Sequence, residues 1–201
     1  MRKLMFNHQY IAVAGNIASG KTSLVTRLAK ENGLQPYYEA NDLNPYLTDF
    51  YENMNQWSFH SQTFFLIQKF KIHQQLENTK NIALLDRTLY EDAEIFAKRL
   101  YVTGKMSARD YALYRDFYLT LRKTLKPPKL MIYLRCPIEE LERRIVLRGR
   151  PSEQSIPREY LQGLQDLYEE WILDYQESEL IVLDSTKPAE SEAALCLGLI
   201  S

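Results

Sequence analysis

The chain of 201 residues is long enough for one domain, spanning 1–201, with a substantial buried core. Its 25 basic and 26 acidic residues leave a net charge of −1, which excludes the global basic field of a nucleic-acid-binding protein. Cys136 and Cys196 lie far apart, outside any C-x-x-C pattern, and no apolar run approaches the roughly 18 residues of a spanning helix. A cytoplasmic protein is expected, with no disulfide framework, zinc site or membrane anchor.

The first apolar run, Tyr10–Ala14, predicts a buried parallel strand that ends directly at Gly15. There the pattern G-x-x-x-x-G-K-[ST] begins, with Gly15, Asn16, Ile17, Ala18, Ser19, Gly20, Lys21, Thr22 and Ser23. Glycines in this pattern let backbone N–H groups curl round phosphate oxygens. The lysine reaches the β- and γ-phosphates, and the threonine hydroxyl takes Mg²⁺. Leu24, Val25 and Leu28 then share one helical face, and Gly33 stands where that helix should stop. Strand, loop and helix N-terminus occur in the order a nucleotide site requires.

Four further runs predict strands at Pro36–Glu39, Ile82–Asp86, Leu130–Leu134 and Leu180–Leu183, separated by segments of helical periodicity. The alternation predicts an α/β fold: a central five-stranded parallel sheet with helices on both faces. In such sheets ligands bind beyond the carboxyl ends of the strands. Glu39, the pair Asp86-Arg87 and Asp184-Ser185 fall at those ends. Asp86 is placed to hold Mg²⁺ beside Thr22; its alternative is an N-cap for a helix beginning near Glu91.

Between strands two and three, Tyr51–Leu76 contains a long helix. Gln62 and Lys69 are seven apart on nearly one face, amid Trp57, Phe64, Phe65 and Phe70. A glutamine beside aromatic rings can read a base edge, although a core helix with a polar rim has the same pattern. After strand four, Arg144 and Arg148 lie i, i+4 on one helix, and Arg150 follows a glycine; Arg143 is off that face. With the breaking stretch Gly149–Pro157 they predict an arginine-bearing lid over approximately 144–156, able to stabilise a transferring phosphoryl group and exclude water. His8, His60 and His73 lack metal-ligand spacing.

Taken together, "GNIASGKT", "NPYLTDFYEN", "WSF", "DRTLYED" and "LRGRPSEQSIPREYL" resemble the deoxyribonucleoside kinase family, especially its bacterial deoxyadenosine/deoxyguanosine kinase branch, over nearly the whole chain. The resemblance implies a P-loop kinase fold and transfer of the γ-phosphoryl of Mg-ATP to a 5′-hydroxyl of a deoxynucleoside, with a purine and deoxyadenosine first. It implies Glu39 as general base and Arg87 beside the hydroxyl. Tyr51 and Glu169 match the pair that holds the sugar 3′-hydroxyl. Gln62 matches the base reader and Asp92 the acid at the base's far edge. Arg144, Arg148 and Arg150 match the lid arginines, and Leu183–Pro188 the loop near the donor adenine. A homodimer is implied as well. Three positions depart from the family pattern: "EAND" where relatives often read Glu-Pro, Lys69 in place of arginine, and Asp86 in place of glutamate.

Two other readings share the phosphate loop. A nucleoside monophosphate kinase needs additional cations at its acceptor, where this chain offers Gln62 and an apolar surround. A non-catalytic nucleotide-binding subunit could lose Lys21, Glu39 or the lid arginines, and all are present. A switch-type GTPase should carry N-K-x-D, and the sequence has none.

Overall fold

A computed structural model of the chain describes residues 10–39, 43–76, 79 and 82–187. His8, Cys196, residues 40–42 of "EAND" and Pro188 lie outside the described residues. The five apolar runs form strands β1 (Tyr10–Gly15), β2 (Gln35–Tyr37), β3 (Ala83–Asp86), β4 (Leu130–Arg135) and β5 (Glu179–Asp184). All pair in parallel, in the order β2-β3-β1-β4-β5. Every residue of β1 and β3 is buried, because strands covered on both faces have no solvent side for polar residues. β2 is displaced from the predicted run: its ladder ends at Tyr37, so Glu39 leaves the sheet edge rather than pairing along it.

Helices cover both faces. Helix α1 (Lys21–Asn32) sets Leu24, Val25 and Leu28 against Ile11, Val13, Leu84 and Ile132 on one side. Its ends follow glycine chemistry: Gly20 stands at φ 99° before it, and Gly33, at φ 63°, donates its N–H to Ala29 O. The other face carries the larger core, built from α2 (Leu47–Glu52), α3 (Met54–Leu76), α6 (Ala108–Arg122), α7 (Ile138–Arg148) and α8 (Arg158–Leu173). Between α3 and α6 runs one continuous helical segment: α4 (Leu89–Glu91), a π-helical stretch over Asp92–Ala97, and α5 (Lys98–Val102).

The start of α4 settles the alternative reading of Asp86. Thr88, not Asp86, caps the helix: its side chain accepts from Glu91 N while the Glu91 carboxylate accepts from Thr88 N, a complete capping box. Asp86 is thereby left for the site, as are the other strand ends. The strand order reverses direction about β1, so the phosphate loop leaves the sheet at the switch point, where a crevice opens.

Gly15 makes that exit possible. At φ 151° its backbone is in a region that other residues avoid, and a Cβ there would meet Ser19 Oγ at 2.6 Å and Leu134 O at 3.0 Å. The carbonyl belongs to the neighbouring strand and cannot swing aside. Gly15→Ala is therefore expected to lower unfolding free energy by about 1–3 kcal/mol, measured by urea denaturation; an unchanged midpoint would show that β4 yields.

Candidate active site

The phosphate loop is shaped by three left-handed residues, Gly15, Ala18 (φ 62°) and Gly20, which turn successive N–H groups inward. Lys21 is buried, and its Nζ donates to Gly15 O (2.9 Å) and Asn16 O (2.8 Å). Burial, helped by the Arg87 charge, lowers its pKa to about 8 against the pull of Asp86, Glu39 and Glu91. Thr22 Oγ1 donates to Asp86 Oδ2 at 2.5 Å. The shorter Asp86 thus reaches the threonine that glutamate would otherwise approach. Its Oδ1 is buried with no hydrogen-bond partner among the described residues. A hydroxyl oxygen beside a carboxylate with a spare oxygen suits a hard divalent cation, so the pair fits Mg²⁺.

On the other side of Lys21 lies an ion-pair chain. Arg87 Nη1 donates to both oxygens of Glu39 (3.0 and 3.1 Å), and Lys69 Nζ donates to Glu39 Oε1 (2.9 Å) and Asp92 Oδ1 (3.2 Å). All four side chains are at most 8% exposed. Burial alone would raise the Glu39 carboxyl, but Arg87, Lys69 and Lys21 outweigh it and hold it well below the usual carboxylate range. For Asp92 burial wins over Lys69, aided by the Glu39 charge, and its carboxyl is pushed up. Arg87 is itself in the left-handed region, at φ 64°, with its guanidinium 4.3 Å from the Phe96 ring centroid.

Glu39, Arg87 and Asp92 line one cavity with Leu47, Phe50, Tyr51, Gln62, Phe65, Phe96 and Tyr160, whereas Lys69 is buried and does not line it. Gln62 and Lys69, chosen from their spacing on α3, do share the inward face. Gln62 Oε1 and Asp92 Oδ2 are both buried without a partner among the described residues. Of the four aromatic residues expected around them, only Phe65 lines the cavity. Trp57 stacks on Tyr46 at 5.7 Å, and Phe64 and Phe70 do not line it. The remaining aromatic walls come from other elements: Phe50 and Tyr51 from α2, Phe96 from the π-helical stretch and Tyr160 from α8.

A second cavity adjoins the first along the outer side of the loop, lined by Ser19–Leu24, Arg27, Leu134, Arg144, Leu183, Ser185 and Lys187. Ala18, Lys21, Thr22, Arg148 and Arg150 line both. The boundary between the two is therefore the most cationic part of the site. Arg148 and Arg150 both pair with Glu153, on the 3₁₀ turn Pro151–Glu153. Arg144 plays another part: its guanidinium donates to Ser19 O (3.1 Å) and Ser185 O (2.7 Å), tying the loop to the end of β5.

One assignment is corrected. Glu169 does not join Tyr51: it accepts from Arg135 Nε (2.9 Å) and Tyr133 Oη (3.0 Å), beyond the end of β4. On α8 it stands nine residues after Tyr160, about 13 Å further along the axis, so the helix cannot present both to one cavity. Glu153, on the lid turn, does line the cavity with Tyr51, and its charge acts on the Tyr51 hydroxyl. Burial pushes the Tyr51 hydroxyl pKa up, with Tyr160 and Glu153 adding to it, so the phenol stays a proton donor. A signal for Glu153 was present in the sequence: it is the acid within the predicted lid, three residues after Arg150.

A phosphate loop flanked by two cavities, one enclosing a carboxylate between cations and both sharing the lid arginines, defines a P-loop phosphotransferase. The family model for deoxynucleoside kinases matches residues 11–194. A deoxyadenosine/deoxycytidine kinase of Bacillus subtilis is 35% identical over 175 residues, covering 86% of this chain and 81% of that protein. A deoxyguanosine kinase of the same organism is 35% identical over 177 residues, covering 87% and 84%. Among solved structures, deoxyadenosine kinase from M. mycoides with bound dATP superimposes with a TM-score of 0.86 at 28% identity, over 96% of this chain and 99% of that one. The same kinase with the products dCMP and dCDP gives 0.87. The chain belongs to the deoxynucleoside kinase family, whose members are ATP-dependent phosphotransferases.

The depressed pKa of Lys21 makes a measurable prediction. At pH 8 the free protein holds this lysine about half protonated, and triphosphate oxygens restore the full charge. ATP binding should take up close to half a proton at pH 8 and almost none at pH 6.5, read by calorimetry in buffers of different ionisation enthalpy. Uptake that does not fall with pH would exclude Lys21 as its source.

Proposed function

We propose that the protein transfers the γ-phosphoryl of Mg-ATP to the 5′-hydroxyl of a purine deoxyribonucleoside, deoxyadenosine ahead of deoxyguanosine. The observation that carries this reading is Glu39 held between Arg87 and Lys69 in a cavity that opens onto the phosphate loop. Both inner cations are committed to carboxylates, which leaves no ready partner for an acceptor phosphate and favours an uncharged acceptor over a nucleoside monophosphate. The relatives named above include kinases of deoxyadenosine, deoxycytidine and deoxyguanosine.

Glu39 acts as general base and Arg87 orients it. A carboxylate with a lowered pKa does not strip an alcohol in the ground state. It takes the proton late, as the forming P–O bond makes the hydroxyl acidic, which suits a loose transition state. Lys21, Arg148 and Arg150, at the boundary of the cavities, stabilise charge on the phosphoryl oxygens. Arg144 holds the loop against β5. Thr22 and Asp86 would hold Mg²⁺, which when bound neutralises phosphate charge. Tyr51 and Glu153 suit the sugar 3′-hydroxyl. Gln62 and Asp92 present two unpartnered acceptors, which favour a base edge carrying an amino group, and Phe65 and Phe96 enclose its faces.

The remaining parts of the reading concern context. One sheet and its two packed faces support a single domain. Among the described residues no helix is long and apolar enough to cross a membrane; ATP use and sparse cysteine favour the cytoplasm, with small molecules rather than nucleic acid as partners. On α6, Leu113 and Phe117 are exposed one turn apart, and Ile67 is exposed on α3, which packs against α6; these apolar side chains support a homodimer. Leu113→Glu together with Phe117→Glu should shift sedimentation from dimer to monomer; a wild-type monomer removes the inference.

The function is tested with Mg-ATP and each of the four deoxynucleosides, then each monophosphate, scored by kcat/KM. Turnover of nucleosides but not monophosphates, with deoxyadenosine first, is expected. Turnover only of monophosphates would make the protein a monophosphate kinase. Glu39→Gln should lower kcat by about 10²–10⁴ with ATP affinity kept; near-normal turnover would remove the base assignment.

A further inference from the structure

Glu91 lines neither cavity, yet it is fully buried and faces four donors. Oε2 accepts from Thr88 N (2.7 Å) and Thr88 Oγ1 (3.0 Å), the local contacts of a capping box. Oε1 accepts from Gly15 N (3.2 Å) and Tyr168 Oη (2.8 Å), partners 76 and 77 residues away in sequence. A helix cap has no need of the second pair.

We propose that Glu91 is a positioning residue for phosphoryl transfer: its carboxylate fixes the phosphate loop against helix α8, the helix that continues from the lid. The inference rests on the phosphotransfer reading above. Gly15 is where the forces meet. Its N–H goes to Glu91, and its carbonyl accepts from Lys21 Nζ and, sharing the one proton of Tyr168, from that hydroxyl at 2.9 Å. The next residue repeats the link, because Asn16 Nδ2 donates to Leu161 O (3.0 Å) and Gln165 Oε1 (3.2 Å) on the same helix. Helix α8 begins just after the lid turn and places Tyr160 in the acceptor cavity. Glu91 also lies 4.0 Å from Arg87 Nε, so loop, helix and the arginine beside Glu39 share one buried anion.

The chemistry requires a carboxylate. Two of its four donors are backbone N–H groups, Gly15 N on one oxygen and Thr88 N on the other, and neither can reverse. Glutamine is nearly isosteric, but whichever way its amide turns, one NH₂ points at a backbone N–H. Hydroxyls could adapt; these two amides cannot. The phosphate loop or the Arg87 turn must then shift, and misplacement near 1 Å is worth roughly a hundredfold in rate.

The test is Glu91→Gln beside Tyr168→Phe, with Ser107→Ala as a remote control that removes only the N-cap of α6. Melting, kcat, both KM values and direct ATP titration are measured for each. Glu91→Gln is expected to lower kcat about 10- to 100-fold and weaken ATP binding several-fold, with the deoxynucleoside KM little changed. Tyr168→Phe should move the same quantities less, and the two effects should be less than additive in the double variant, because both act on the same buried contact at Gly15. Wild-type ATP affinity and turnover in Glu91→Gln, with melting lowered as in Ser107→Ala, would overturn the proposal. Should Glu91→Gln fail to fold, unchanged kinetics in Tyr168→Phe would overturn it instead. ATP titration needs no acceptor, so a wrong acceptor assignment and a wrong role for Glu91 give different results.

Discussion

The structure turns on buried charge that has to be neutralised. Arg87, Glu39, Lys69 and Asp92 form a continuous chain with little solvent exposure, and Glu91 and Lys21 stand within the same field. Burying such groups is not a route to stability; apolar replacements of the same shape are often as stable or more so. The two hydrophobic layers on either side of β1 and β3 supply the folding free energy that lets this cluster exist. Their strands end together, so the cluster is delivered to one edge. Arg87 shows the cost locally: an arginine at φ 64° persists because its N–H is held by Val13 O and its guanidinium by Glu39.

Much of this was legible in the sequence, for identifiable reasons. Strands buried on both faces are continuous apolar runs, so all five appear within a few residues of their observed positions. The phosphate loop is local in sequence and therefore readable as a motif. Gln62 and Lys69 obey helical spacing, and the structure brings both inward. The misses are tertiary. Nothing in the spacing of α8 tells which of its faces meets the lid, and the resemblance pairs Glu169 with Tyr51 where the cavity has Glu153. The aromatic walls at Phe50 and Phe96 come from separate segments that only the fold unites. Resemblance cannot supply them without a residue-by-residue match, and one acid several residues along is enough to mislead it.

Lys69 shows what a departure from the family pattern does physically. Arginine's planar fork could serve a carboxylate and a base edge together, whereas an ammonium is a point charge with three donors. Two of those donors go to Glu39 and Asp92. Lys69 therefore acts mainly on other protein groups, keeping Glu39 ionised and Asp92 in place, and in the proposed reading contact with the base falls to Gln62 and to the unpartnered oxygen of Asp92.

The lid follows the same logic of charge on the other side of Lys21. Arg148 and Arg150 are both drawn to Glu153, so two guanidinium groups are held at the boundary of the cavities by one carboxylate. A single acid cannot neutralise two cations, and the surplus positive charge lies where a phosphoryl group would pass. At the Glu39 end the balance is reversed in kind: each cation there has its own carboxylate contact, and little net charge is left to attract a phosphate. The cavity is thus electrostatically polarised along its length, toward phosphate at one end and toward a neutral hydroxyl at the other. A phosphotransferase with an alcohol acceptor needs that asymmetry, and here it arises from which buried charges are paired rather than from how many there are.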